Sequence, residues 1–246
     1  MANNDKTVSL DDLWTIRWGV KTGTPVSLNT AMSLLNRVID GQVTIPDTAP
    51  VPEIPSPTAK NKVAIVVGHN SRATGACALN PINMCEFAYN NLVADYMVAN
   101  PPEGVVYKKF NRVYSSAGYS SEIRKVYDDV NDWNPVFVVE LHFNGSSGAA
   151  SYTTVLHAAS SNVSKDCAKI FKDILVDELG FKDGGLMAVT RSGRGGASLY
   201  AAKAPSILTE PFFGDNVSNV TKMAEVGTDG LAKIYNKGVT SVLSKF

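Results

Sequence analysis

The run VAIVVGH (63–69) constrains this chain more than any other feature. It is continuous, apolar and rich in β-branched residues, with no polar alternation that could leave one face in water. Such a run reads as a strand buried on both faces. PVFVVELHF (135–143) reads as a second buried strand, SYTTVLHA (151–158) as a third and PSILTEPFF (205–213) as a further one. Helical periodicity fills the gaps. Met84 to Asn100 carries Met84, Phe87, Ala88, Leu92, Tyr96 and Ala99 on one side. Ser121 to Trp133 carries Ile123, Val126, Tyr127, Val130 and Trp133, and Lys165 to Leu179 is amphipathic and closed by Gly180. The last segment, to Phe246, reads as helical. Strands separated by helices predict an α/β fold with a mostly parallel sheet covered by helices on both faces. Apolar residues make up 44% of the 246, enough for a substantial core.

The chain before residue 60 is different. Pro46, Pro50, Pro52, Pro55 and Pro57 crowd one stretch, which favours an extended, stiff conformation, so 46–59 reads as a linker. Ahead of it, Leu28, Ala31, Met32, Leu35, Val38 and Ile39 recur at helical spacing with Gly41 as a stop, and LWTIRWGV (13–20) has strand character. Residues 1–45 thus read as a short N-terminal unit of unknown role, a cap on the main domain or a small targeting module; no motif decides, and the cap is the plainer reading.

Lys plus Arg and Asp plus Glu both total 23, so nothing steers the chain toward nucleic acid or an anionic membrane. No window reaches the roughly 18 apolar residues of a membrane span. The polar start MANNDKTVSLDD has no apolar core of a signal peptide, which predicts synthesis in a cytoplasm without export by the usual signal. Cys77, Cys85 and Cys167 are odd in number and lack C-x-x-C spacing. That argues against a disulfide framework and a cysteine zinc site, and predicts reduced thiols.

The chemistry sits at strand ends. His69 ends the first strand, His142 lies near the end of another, and Glu210 ends a third. Sites in open α/β sheets form beyond the carboxyl ends of strands, so these three converge on one spot. Glu86 begins the helix after the first strand, close enough in sequence to fold back toward His69. Two imidazoles and a carboxylate are a standard catalytic zinc set that leaves a position open for water. A further carboxylate is needed to move the proton. The chain supplies His69, Glu86 and His142 as ligands and Glu210 as base. Each has an ordinary rival role. A lone strand histidine is usually structural, and Asn83-x-x-Glu86 has capping-box spacing with Glu86 at the third helical position. His157 reads as structural. The stretch from Arg191 to Ala197 lacks the ending of a phosphate loop and reads as a mobile loop lining the groove. Its Arg191 and Arg194 could meet carboxylates of a substrate, with ordinary solvated side chains as the alternative. Asn144 reads as orienting the site or substrate, with a turn role in Asn-Gly as the alternative.

Val-Gly-His-Asn, then Gly75-Ala76, Glu86, Leu-His-Phe-Asn-Gly and Ala-Pro-Ser-Ile-Leu-Thr-Glu-Pro-Phe-Phe, in that order, resemble the zinc N-acetylmuramoyl-L-alanine amidases of the type-3 amidase family. The Gly-His-Asn form resembles the phage endolysin members. The resemblance spans about residue 62 to the C-terminus, marking 60–246 as a zinc amidase domain. It implies a twisted, largely parallel sheet, zinc at His69, Glu86 and His142, and a catalytic glutamate at Glu210. The implied reaction hydrolyses the amide between N-acetylmuramic acid and L-alanine in peptidoglycan, lysing the cell wall. Asn70, which follows His69, is a candidate substrate-binding or supporting residue. Glu140 stands where many relatives have a small residue and shares a strand face with His142 and Asn144, as a supporting partner or an alternative acid. Lys203 stands where arginine is commoner. Rival readings are a zinc peptidase cutting within the stem peptide and a non-catalytic wall-binding protein of a virion. The sequence sets no oligomeric state.

Overall fold

The computed structural model describes residues 61–245. The expectations for the N-terminal unit and the linker lie outside the described residues. Within them, six strands and five helices alternate. They are β1 (Lys62–Val67), α1 (Glu86–Ala99), β2 (Val106–Asn111), α2 (Tyr119–Trp133), β3 (Phe137–Leu141), β4 (Thr153–Ala158), α3 (Asn162–Leu179), β5 (Asp183–Val189), α4 (Gly196–Leu199), β6 (Ser206–Glu210) and α5 (Val217–Lys245).

The strands form one sheet in the order β2-β1-β3-β6-β4-β5. All neighbouring pairs are parallel except β4 with β6, which is antiparallel. The expected mostly parallel α/β sheet is therefore present. β1, β3 and β6 lie side by side, so their carboxyl ends open onto the same edge. β3 and β6 are buried throughout. On one face Val63, Ile65, Val67, Phe137, Val139, Leu141 and Ile207 pack under α1, α3 and α5. On the other, Ala64, Val66 and Val138 pack under α2 through Ile123, Val126, Tyr127 and Val130. Each fully buried side chain of this size contributes about 1.5–3 kcal/mol, so the sheet is a stiff base for the loops beyond it.

Local chemistry sets the helix ends. Ser161 caps α3 by accepting from Ser164 N at 3.1 Å, and Gly180 ends it in the left-handed conformation with φ 71°. Gly227, with φ 71° and ψ 167°, breaks α5.

Several expectations are corrected. β2 and β5 were not anticipated. β2 carries two lysines in its centre, and β5 is an edge strand whose Gly184 and Gly185 weaken any strand signal. The buried side of α1 is Glu86, Tyr89, Asn90, Val93, Ala94 and Met97, while Met84 and Leu92 are exposed. Apolar residues surround this helix, so periodicity alone picked the wrong face. β4 is buried at all six residues, as expected of a buried strand, because α3 and α4 cover it on both faces. The Gly-rich stretch opens the four-residue helix α4. The capping box does not form. α1 starts at Glu86 itself after Cys85, and Asn83 lies outside it with φ 48°. The reduced-thiol expectation also fails, since Cys77 and Cys85 form a disulfide and only Cys167 is free and buried. An odd count requires one cysteine left over but does not bar a bridge, and the turn between residues 77 and 85 brings these two face to face.

Candidate metal centre

The site assembles at the carboxyl ends of β1, β3 and β6. After β1 the chain passes through Gly68, whose N–H donates to Leu141 O at 3.0 Å. A side chain cannot fit there, because a Cβ would lie 2.3 Å from the His142 ring. His69 follows with φ 66°, a region non-glycine residues rarely occupy and one that is often retained at functional positions.

Asn70 then closes a tight turn. Its Oδ1 accepts from Arg72 N and Ala73 N, both at 2.9 Å, and its Nδ2 donates to Glu122 Oε2 at 2.9 Å. Glu122 also takes Ser115 N at 2.9 Å and pairs with Arg112 at 3.2 Å. Asn70 is buried, and these bonds tie it to the backbone turn that follows His69.

The chain next runs antiparallel to the start of α1. Glu86 N donates to Ala76 O at 2.8 Å and Phe87 N to Thr74 O at 2.9 Å. This fold-back brings Glu86 to His69. Gly75 makes the approach possible, since a Cβ there would sit 2.5 Å from Glu86 Oε2 and 2.6 Å from His69 Cδ2. The Glu86 carboxylate accepts from Ala76 N at 3.1 Å and Phe143 N at 3.2 Å. Its two oxygens face His69 Nε2 at 3.1 Å and His142 Nδ1 at 2.7 Å. Burial alone would raise its pKa, but the hydrogen bonds and charge of the two histidines outweigh this and hold it at about 2.

His142 uses both ring nitrogens. Nδ1 faces Glu86, and Nε2 faces Glu140 Oε1 at 3.1 Å. Glu140 is itself buried and fixed, accepting from Tyr127 Oη at 2.8 Å and Ser198 Oγ at 3.3 Å. Burial disfavours the imidazolium of His142, but the paired carboxylates Glu140 and Glu86 push its pKa up to about 10. Glu140 is held below the usual carboxylate range despite its burial, by His142, Tyr127 and Ser198.

One ligand atom each from His69, Glu86 and His142 lies within 4.8 Å of the other two. The donor set fits a metal ion. It offers two imidazole nitrogens and a carboxylate oxygen, a cradle with no room for extra atoms at Gly68 and Gly75, and a carboxylate behind His142 that holds the ring in place. The side chain of His69 is 29% exposed, which leaves one side of the trio open.

Leu141 pairs with Thr209, so the next residues outward, His142 and Glu210, stand side by side. Glu210 is buried, and its Oε2 has no hydrogen-bond partner among the described residues. Burial pushes its pKa up to about 7, opposed by the charge of His142. Arg194 is exposed, and its charge also reaches Glu210, acting to lower that pKa. Arg191 is exposed and stacks over Tyr200 with its guanidinium 5.0 Å from the ring centre. Asn144 turns its Oδ1 onto Gly145 N at 3.1 Å, the turn role. His157 stands outside the cluster, buried, with Nδ1 3.0 Å from Ala158 O. The sequence reading missed Tyr127 and Ser198 as supports of Glu140, and Gly68 and Gly75 as the space the cluster needs. Only the glycines left a signal, Gly68 by preceding His69 and Gly75 by following it six residues on.

Residues 63–241 match a family model described as N-acetylmuramoyl-L-alanine amidase. No curated protein matches the chain. Among solved structures, the catalytic domain of the CD27L endolysin targeting Clostridia difficile is 25% identical, with TM-score 0.63, covering 74% of this chain and 97% of that one. An N-acetylmuramoyl-L-alanine amidase from Clostridium difficile 630 is 18% identical with TM-score 0.62, covering 76% and 98%. The amidase Ami1 from Mycobacterium smegmatis is 19% identical with TM-score 0.60, covering 76% and 98%. The last two likenesses bear on the fold alone.

Proposed function

The chain belongs to the N-acetylmuramoyl-L-alanine amidase family, hydrolases of the amide between N-acetylmuramic acid and L-alanine in peptidoglycan, and on that premise we propose that it works as a zinc enzyme of the endolysin type. The observation that carries the metal assignment is the convergence of His69, Glu86 and His142 on one point with Glu140 behind His142. Two imidazoles and one carboxylate suit zinc better than the oxygen-seeking magnesium or calcium. Zinc there supplies Lewis acidity, lowering the pKa of a coordinated water toward neutrality and polarising the scissile carbonyl.

The chain's own residues do the rest. Glu140 takes the Nε2–H of His142 and so leaves Nδ1 free as the ligand atom. Glu140 is thus a positioning residue and not the alternative acid. Glu210 is the general base. It takes the proton from the attacking water and delivers it to the departing alanine nitrogen. Its unpartnered Oε2 and a pKa near 7 suit it to give and take a proton at neutral pH. Asn70 holds the turn after His69. Arg191 and Arg194, on the exposed loop ahead of α4, meet carboxylates of the stem peptide. Likeness to an endolysin catalytic domain supports a wall-lysing role. Among the described residues no helix is long and apolar enough to cross a membrane.

The test combines zinc content with clearing of purified sacculi before and after chelation, followed by analysis of new amines. Stoichiometric zinc, chelator-sensitive clearing and new free amine on alanine are expected. New amines within the stem peptide would replace the amidase with a peptidase. Clearing without bound metal would remove the zinc reading.

A further inference from the structure

The Cys77–Cys85 disulfide ends one residue before the carboxylate on which the metal centre depends. Residues 74–78 and 84–87 run antiparallel. Ala78 N donates to Met84 O at 2.8 Å, Glu86 N to Ala76 O at 2.8 Å and Phe87 N to Thr74 O at 2.9 Å. Cys77 and Cys85 are the paired residues in the middle of this strip. Ala76 N, next to the crosslink, also donates to Glu86 Oε2 at 3.1 Å.

The carboxylate of Glu86 also meets Phe143 N, His69 and His142, but its backbone is placed by this strip. Glu86 is the first residue of α1, the helix has no side-chain cap, and first turns fray readily. Cys77 is exposed and Cys85 half-buried, so the bond is open to a thiol reagent.

We propose that the Cys77–Cys85 disulfide is a positioning crosslink for Glu86, and that its reduction loosens the metal centre so that metal retention follows the redox surroundings. The proposal rests on the reading of His69, Glu86 and His142 as ligands. The reductant is a dithiol. One of its thiolates attacks Cys77 Sγ, the protein S–S bond breaks and Cys85 leaves as a thiolate. The second thiol then displaces Cys77 from the mixed disulfide. The reagent ends as its own disulfide, and its two protons end on the two cysteines. A cytoplasm keeps such an exposed pair reduced, and an oxidising compartment lets it close. The centre is therefore tightest where no reducing pool reaches it.

The experiment uses the full chain, oxidised or reduced with dithiothreitol and desalted without oxygen, beside C77S/C85S. Zinc affinity is read by competition with a chromophoric chelator. Hydrogen exchange of residues 74–87 is read in the zinc-free chain. Reduction and the double variant should weaken zinc about 10–100-fold, the range for outer-shell support of a ligand. Re-oxidation should restore the reduced wild-type chain. Exchange in 74–87 should speed up while α3 stays protected. Equal affinity and equal exchange in both redox forms would overturn the proposal. So would loss of the far-UV helix signal on reduction, because the bond would then hold the fold and not the ligand. If neither form binds zinc, the metal assignment fails, and exchange in 74–87 still decides the positioning role.

Discussion

Replacing Glu210 by glutamine should trade activity for stability in a pH-dependent way. The carboxyl is buried, and its pKa stands at about 7 against 4.5 for an ordinary glutamate. A raised carboxylate pKa means that the folded chain prefers the protonated form. Its cost is absent below pH 4.5, where both states are protonated. It grows as the unfolded chain ionises first and is complete above about pH 7. At ~1.4 kcal/mol for each tenfold change, the gap between 4.5 and about 7 is on the order of 3 kcal/mol. Glutamine keeps the shape and cannot ionise. The zinc-free Glu210→Gln chain should therefore gain about 3 kcal/mol on wild type between pH 4 and pH 8. Any cost of a buried amide adds equally at both pH values. The measurement is urea unfolding of both zinc-free chains across that range, followed by far-UV circular dichroism. The same variant should bind zinc and clear sacculi about 10²–10⁴-fold more slowly, the usual worth of a general base. A stability difference that does not vary with pH would refute the electrostatic reasoning. Near-normal turnover would remove Glu210 as the base.

Glu140→Gln should weaken zinc about tenfold by loosening the tautomer of His142, as read by chelator competition; unchanged affinity would reduce Glu140 to a packing role. Gly75→Ala should cost about 1–3 kcal/mol, since φ is +80° and the new methyl would press on Glu86 and His69. Urea unfolding and zinc content should fall together in that variant. Asn70→Ala should destabilise by about 1–3 kcal/mol through the lost turn bonds and the lost bond to Glu122, while stoichiometric zinc is still bound at saturating concentration.

The sheet was legible because its interior strands have no choice of face. The run at 63–67 is wholly apolar, 137–141 is broken only by Glu140, and 206–210 has Ile207 and Leu208 side by side, so neither face of these strands can be left to water. The candidate residues were legible for a related reason: polar groups that end such runs have nowhere to go but the sheet edge. What stayed hidden depends on contacts between distant segments. Tyr127 is an ordinary apolar-face residue of α2 until β3 brings Glu140 under its hydroxyl. Ser198 follows a glycine run with no strand or helix signal. The Cys77–Cys85 bridge depends on the turn between them, which spacing does not reveal. Glu86 was placed at a capping position by spacing, yet its carboxylate is drawn to Ala76 N, Phe143 N and the two histidines, which are stronger partners than a frayed helix start.

Three glutamates share this small site, and their surroundings separate them. Glu86 is held at about 2 by two histidines, and Glu140 is held low by His142, Tyr127 and Ser198. Both are drawn toward the charged form, which suits neither to give and take a proton near neutrality. Glu210 alone combines a pKa near 7 with an oxygen that no described residue engages. Groups of one chemical type driven apart in pKa take different parts in a reaction. The charge balance points the same way. Three buried carboxylates against two imidazoles leave an excess of negative charge that is costly to bury unpaired. In the metal-free chain the proton on His142 offsets part of it. A dication between His69, Glu86 and His142 would offset more, and would free Glu210 to ionise in the presence of its substrate water.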